Sequence, residues 1–323
     1  MFAQTVLKKG GSIHPLIIDS ELTGGLGLMN PSVLIDNGKI LVNLRSVNYT
    51  FYHSEKKTFQ HQYGPLTYVH PENDIHLRTW NYLLELNDDY DIVHCHKVDT
   101  SKFPDKELWD FVGLEDARLV RWNEKLFYTG VRRDEDQIGT GRMEICELVP
   151  KLNHVKQVSQ IRIDPPLDPN SYCEKNWMPI LDMPFHYIKW SNPTELVRID
   201  PITGKSEQIF SRKAKNIDGY PRGGSQVIPW NSHYLAITHE VDLFNSEVGR
   251  KDCVYYHRFI LWDKEFNIIK WSNKFSIMGG HVEFCVGLAQ HNENMIMTFG
   301  FQDNAAYLLK FPESAIEEYL TNE

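Results

Sequence analysis

Hydrophobic positions along the chain fall in short runs that alternate with polar ones, and each run is bounded by Asn, Asp or Gly. A period of two puts successive side chains on opposite sides of a strand, so most of the chain is predicted to be β. Helical periodicity is scarce. "NDIHLRTWNYLLELNDDYD" around Trp80 predicts a short helix, and "PESAIEEYL" at Pro312 to Leu320 predicts a terminal one that opens on proline.

One unit recurs: a polar lead-in, a strand, a tight turn, and a second strand richer in aromatics. It is clearest in "NPSVLIDNGKILVNLRSV", which turns at Asp36-Asn37-Gly38, and in "EDARLVRWNEKLFYTGVR", which turns at Asn123-Glu124. It returns in "KNWMPILDMPFHYIKW", "GGSQVIPWNSHYLAITHEV" and "EFCVGLAQHNENMIMTFG". From Glu115 onward the lead-ins fall roughly 50 to 60 residues apart, the interval of a four-stranded propeller blade. Five such units fill the 323 residues. The predicted architecture is therefore all-β, a single five-bladed β-propeller spanning 1–323. The wider gap from Asn30 to Glu115 calls for a helical or loop insertion in the N-terminal third, near 56–105. In a propeller the innermost strands line one channel, so the polar lead-ins of all blades would converge there.

Composition narrows the class. A 41% hydrophobic and 24% charged chain is an ordinary globular one, and a net charge of −9 argues against a nucleic-acid binder, which concentrates positive charge. "MFAQTVLKKGGSIHPLIIDS" lacks the apolar core of a secretory signal, and nowhere do 18 apolar residues run together, so a cytoplasmic protein without membrane insertion is expected. The five cysteines are scattered without a CxxC pair and read as reduced thiols. "HCHK" at His94 to Lys97 offers imidazoles and a thiol, but alternation puts Cys95 opposite the two histidines and no fourth ligand is near; no metal is expected. Dinucleotide, Walker, GxSxG and HExxH motifs are absent, and no cofactor is expected.

Two groupings carry candidate chemistry. Glu115-Asp116-Ala117-Arg118 sets an acidic pair beside an arginine, either a structural ion pair or the acid of a site. In an extended strand Glu115 and Asp116 would face opposite ways, so one would face the channel while the other braces the blade. Arginine forks suit phosphate oxygens, and Arg45, Arg132, Arg133, Lys175 and Arg222 stand near blade lead-ins.

The motifs, in order, resemble family 130 of the glycoside hydrolases, the β-mannoside phosphorylases with their hydrolytic and transferase relatives. "NPSVLIDNGKILVNLRSV" looks like that family's opening Asn-Pro hairpin, "GLEDARL" like its Glu-Asp-Pro-Arg motif, and "EKNWMPI" like its Lys-containing segment. "HYLAITHEV" with "YYHRFILWD" is similar to its Tyr-His-Gly hairpin, and "EFCVGLAQHNENMIMTFGFQDNAAYLL" to its closing stretch. The chain departs from the pattern where Ala117 replaces proline and where "RGGSQVIP" stands for Gly-Ala-Gly-Pro-Pro. The resemblance implies a five-bladed propeller with a central active site and inverting glycosyl transfer, mannosyl by expectation. A nucleotide-sugar-dependent glycosyltransferase or a β-mannoside phosphorylase would carry this out. It assigns Asp116 as general acid and Arg118 to orientation or sugar binding. It puts Arg45 and Lys175 on phosphate, with Arg132 or Arg133 next. Asn30, Glu115, Trp177, His239 and Asp303 then join the sugar pocket. The expected partners are a sugar phosphate or nucleotide-sugar donor and a glycan or sugar acceptor; a homo-oligomer is compatible with all of this. The rival readings are a β-mannoside hydrolase and a propeller that only binds glycans or proteins.

Overall fold

The computed structural model describes residues 1–53, 66–215, 217–245 and 251–321. Five antiparallel units of four strands follow one another and make a five-bladed propeller. The first blade is built from Gly27–Asp36, Lys39–Val47, Leu77–Leu86 and Ile92–Asp99, and the second from Glu115–Trp122, Lys125–Arg132, Arg142–Lys151 and His154–Gln157. The third uses Met178–Pro179, His186–Ser191, Thr194–Ile199 and Ser206–Arg212. The fourth uses Ile228–Trp230, His233–Asn245, Lys251–Trp262 and Ile268–Trp271. In the fifth, Glu283–His291, Asn294–Phe301 and Ala305–Pro312 are completed by Ser12–Pro15 from the other end of the chain.

The turns form where the sequence predicts them. Asn37 and Gly38 both have positive φ, 50° and 80°, as do Asn123 and Glu124 at 48° and 63°, the conformation a two-residue hairpin loop with the twist of its strands requires. The outer strands of blades one and two are joined in parallel through Val98 with Val155 and Asp99 with Lys156.

The stretch around Trp80 is a strand, Leu77–Leu86, and not the helix its pattern suggests. It and Ile92–Asp99 are blade strands, so most of the 66–105 part of the expected insertion belongs to the first blade. What interrupts that blade is a hairpin of Thr50–His53 and Leu66–Val69; residues 56–65 of the insertion lie outside the described residues. The terminal helix is shorter than expected, Ser314–Glu317.

The core is partitioned by the ring. Leu34, Leu41 and Leu119 pack between blades one and two, Val120, Trp122 and Tyr187 between two and three, and Ile188, Ala236 and Trp262 between three and four. Ile237, Phe259 and Met297 fill the space between four and five, and Ile296, Val42 and Leu84 between five and one. Each blade buries both faces, so its strands keep apolar residues on both sides. The helix Phe2–Lys8 drives Phe2 into the aromatic group of Phe259, Phe311 and Tyr319, with centroids 5.1–5.3 Å away.

At the channel wall the polar Gln226 is fully buried. Its Nε2 donates to the carbonyls of Val33 and Leu119 at 2.8 and 2.9 Å, and its Oε1 accepts from Leu288 N at 3.3 Å. One side chain from the fourth blade thus satisfies backbone groups of the first, second and fifth.

Candidate active site

Asn30 and Asp116 stand at the openings of the innermost strands of blades one and two with φ of 46° and 50°. Left-handed backbone at a non-glycine residue is strained, and such strain gathers at sites where side-chain direction matters. Asn176 and Asp303, at the lead-in of blade three and in the second turn of blade five, share this conformation with φ of 61° and 48°.

At Asp116 the turn of the backbone cancels the strand alternation. Glu115 and Asp116 do not face opposite ways; both reach Arg45, whose Nη2 donates to Glu115 Oε2 at 3.1 Å and whose Nη1 donates to Asp116 Oδ1 at 2.8 Å. Arg45 also donates from Nε to Thr79 Oγ1 at 3.1 Å and from Nη2 to Tyr49 Oη at 2.8 Å. Asn30 Nδ2 adds a second donor to Asp116 Oδ1 at 2.8 Å. Among the described residues Oδ2 of Asp116 has no partner. Burial would raise the Asp116 pKa, but Arg45, Arg118 and the Asn30 bond outweigh it and hold the carboxyl below its usual value. In Glu115 burial wins and the pKa is raised.

Arg118 is fully buried. Its Nη1 donates to the Asp116 carbonyl at 2.5 Å, its Nε to the Gly224 carbonyl at 2.9 Å and its Nη2 to Asn176 Oδ1 at 3.3 Å. It braces the strained residue against blades three and four, and burial brings its pKa down to about 10. Asn30 is locked from the other side: a Cβ on Gly300 would stand 2.0 Å from Asn30 Oδ1, so only glycine lets blade five approach.

His239 is buried, with Nδ1 2.7 Å from the Gly223 carbonyl oxygen. A carbonyl only accepts, so Nδ1 carries the proton and Nε2 remains an acceptor. Burial and the neighbouring His257, Lys175 and Arg222 keep the ring neutral. It stacks on Tyr255, with centroids 5.7 Å apart and planes at 10°. Asp303 receives a hydrogen bond from Tyr68 Oη at 3.2 Å.

Lys175 and Arg222 are exposed and, among the described residues, pair with no carboxylate; both line a cavity of about 280 Å³ with Glu174, Lys189 and Trp190. Lys175 acts electrostatically on Glu115, Asp116 and His239, which ties this cavity to the acidic cluster. Arg133 is near Glu115 and lies between Phe111 and Tyr172, each ring 5.6 Å from its guanidinium carbon.

One expected pocket residue sits elsewhere. Arg132 is buried among Asp105, Asp134 and Glu144 at 2.6, 3.3 and 3.0 Å, which commits its charge to the blade. Trp177 is 1% exposed, donates to Glu174 Oε2 at 3.1 Å and packs on Tyr187, so most of its ring serves the core, while its edge lines the cavity of Lys175 and Arg222. Tyr128, equally buried, bonds Gln157. Arg258 and Glu240 pair with each other. Tyr49, Tyr68, Tyr255 and Gln226 were not singled out by the sequence. Tyrosines are common in any β-rich chain, and only the fold shows which ones turn to the channel.

Among the described residues no group of three or more His, Cys, Asp or Glu side chains is arranged for a metal ion, and no helix is long and apolar enough to cross a membrane. His94 and His96 lie on one side of their strand, stacked with centroids 6.4 Å apart.

With this geometry the chain was compared with known proteins. No protein-family model and no curated protein matches its sequence. Solved structures do match. A β-1,2-mannobiose phosphorylase from Listeria innocua superposes with a TM-score of 0.52 at 13% identity, covering 91% of this chain and 92% of its own. The mannose phosphorylase MPT-4 of Leishmania mexicana, solved with a phosphate ion, gives 0.53 at 11% identity over 99% and 95%. The fold is that of the mannoside phosphorylases. MPT-1, a GDP-Man-dependent mannosyltransferase of Leishmania mexicana, shares it with a TM-score of 0.51 at 12% identity, over 93% of this chain and 90% of its own.

Proposed function

We infer that the chain is a carbohydrate-active enzyme that transfers a mannosyl unit with inversion, using a sugar phosphate or nucleotide sugar as donor. The observation that carries this is Asp116: a carboxylate held through one oxygen by Arg45 and Asn30, its other oxygen without a partner among the described residues, and within electrostatic reach of Lys175, which shares a cavity with Arg222. Lys175 and Arg222 suit a phosphate group, which needs positive charge and open N–H donors. Asp116 suits proton transfer at the glycosidic oxygen. Held below its usual pKa, Asp116 rests ionised, the form that takes a proton from an attacking sugar hydroxyl; by microscopic reversibility the same carboxyl, once protonated, gives the proton back in the cleavage direction. A resting base favours synthesis, so the transferase is the first form of this reading and the phosphorylase the second. His239 Nε2 and Asp303 would accept from sugar hydroxyls.

Hydrolysis is the rival with support outside the chain, since one matching structure, with a TM-score of 0.54 at 14% identity, belongs to work on family 130 glycoside hydrolases that act on β-1,2 mannosidic linkages. The unpaired Lys175 and Arg222 weigh against it, because water needs no anion site. The test is phosphorus-31 NMR of the purified protein with mannose 1-phosphate or GDP-mannose and a mannose acceptor. Release of phosphate or GDP, reduced about 100-fold or more in Asp116→Asn, is expected. Turnover unchanged in that variant would remove Asp116 from the chemistry.

A further inference from the structure

Three carboxyl groups surround Arg45, and they are treated differently. Arg45 gives an N–H to Asp116 and one to Glu115, and its other recorded bonds go to Thr79 and Tyr49. None reaches Asp303. Asp303 sits in the turn between Asn294–Phe301 and Ala305–Pro312, with the backbone of Gln302 and Asp303 in the left-handed region at φ of 53° and 48°. Among the described residues no cation is within ion-pair distance of it. Its one donor among the described residues is the neutral hydroxyl of Tyr68 at 3.2 Å, which comes from the hairpin interrupting blade one, across the seam from blade five. The Tyr68 ring is itself held edge-on against Tyr49 and Phe111, with centroids 5.1 and 6.1 Å away.

We propose that Asp303, positioned by Tyr68, is a second proton-exchanging carboxyl of the central pocket, which meets a sugar hydroxyl as an acceptor when ionised and as a donor when protonated. This rests on the sugar-pocket reading above, in which Asp303 only accepts, and adds to it a change of protonation state unlike that of Asp116. The charges facing Asp303 from each side favour the exchange. Asp116 and Glu115 from blade two repel its ionised form, while Arg45 from blade one attracts it at longer range. Tyr49 of blade one, with Tyr255 and Cys253 of blade four, present only neutral groups whose own ionisation Asp303 suppresses. Burial and these neighbours push Asp303 up to about 6, whereas Asp116 is held down. The two carboxyls therefore divide the protonation states between them.

The sign for stability follows. Between the unfolded value near 4 and the folded value, the native protein holds a proton that the unfolded chain has released, so stability is lost as pH rises through this window. Asp303→Asn removes that loss and keeps an acceptor for Tyr68. Thermal midpoints of the unliganded full chain, from about pH 4 to about pH 8, should show the Asn variant gaining several degrees on wild type as pH rises, with the change levelling off above about 6. Tyr68→Phe should move the pH at which it levels off upward, because the hydroxyl favours the ionised form. A difference between Asp303→Asn and wild type that does not vary with pH overturns the proposal. If the Asn variant does not fold, carbon-13 NMR of labelled aspartate carboxyls in wild type and Tyr68→Phe decides. A carboxyl titrating between about 5 and 7 and displaced in Tyr68→Phe supports the assignment; all carboxyls titrating below about 5 overturn it. Both readouts need no substrate. Titration with no turnover on any mannosyl donor would sink the transfer reading and leave Asp303 in place, while turnover without titration would do the reverse.

Discussion

Arginines of this chain that look alike in sequence are divided by their partners. Arg132 faces three carboxylates in the second blade with 2% of its side chain exposed, whereas Arg222 lies open beside Lys175. Breaking a buried charge network leaves uncompensated carboxylates, so Arg132→Ala should cost roughly 3–5 kcal/mol in urea unfolding. Lys175→Ala and Arg222→Ala should leave the unfolding midpoint within about 0.5 kcal/mol of wild type and weaken binding of an anionic ligand. The "EDAR" motif was legible as an ion pair or the acid of a site, and only the family resemblance favoured the second. That both acids turn to one arginine was not legible, since it depends on the left-handed backbone of Asp116. The position of Arg132 was hidden for a related reason: a residue next to a blade opening can point along the channel or into the blade, and only packing chooses.

At the level of elements, the turns were the most readable part, because Asn-Gly and its relatives permit the positive φ of a tight hairpin whatever surrounds them. Strands buried on both faces were the least. "TWNYLLEL" within Leu77–Leu86 has few polar interruptions, and an apolar run without alternation fits a helix as well as a doubly covered strand. Ser12–Pro15 was invisible as a blade strand because its partner, Ala305–Pro312, is at the other end of the chain. The blades depend on shared polar anchors as well as apolar contact. Gln226→Leu keeps approximate volume but strips partners from the carbonyls of Val33 and Leu119 and from Leu288 N. Its expected cost is about 3 kcal/mol or more, seen as a lower midpoint without a change in secondary structure.

On the scale of the whole molecule, five blades bring Asn30 and Arg45, Glu115 and Asp116, Lys175, Arg222 with His239, and Asp303 into a chain of hydrogen bonds and electrostatic contacts, although hundreds of residues separate the first from the last. The same burial that builds the site makes the fold sensitive to acid. His257 is pulled down to about 3 by desolvation, and His239 is lowered too. The unfolded chain binds their protons below about 6.5 while the folded one does not, so these histidines contribute stability above that pH that is lost as it falls towards about 3. His257→Gln should flatten the fall in thermal midpoint between about pH 6.5 and 4, in the direction opposite to the Asp303 effect.

In the proposed function an anionic mannosyl donor rests on Lys175 and Arg222 next to Asp116. Thermal-shift titration of wild type and the Lys175→Ala, Arg222→Ala double variant with phosphate, mannose 1-phosphate and GDP-mannose tests it most directly. A ligand that binds the folded state raises the midpoint by mass action, by about 2.7 kcal/mol of stability at a hundredfold excess over Kd. At least one of the three should raise the wild-type midpoint, and the double variant should lose most of the rise. No rise with any of them, or an equal rise in both proteins, would contradict it.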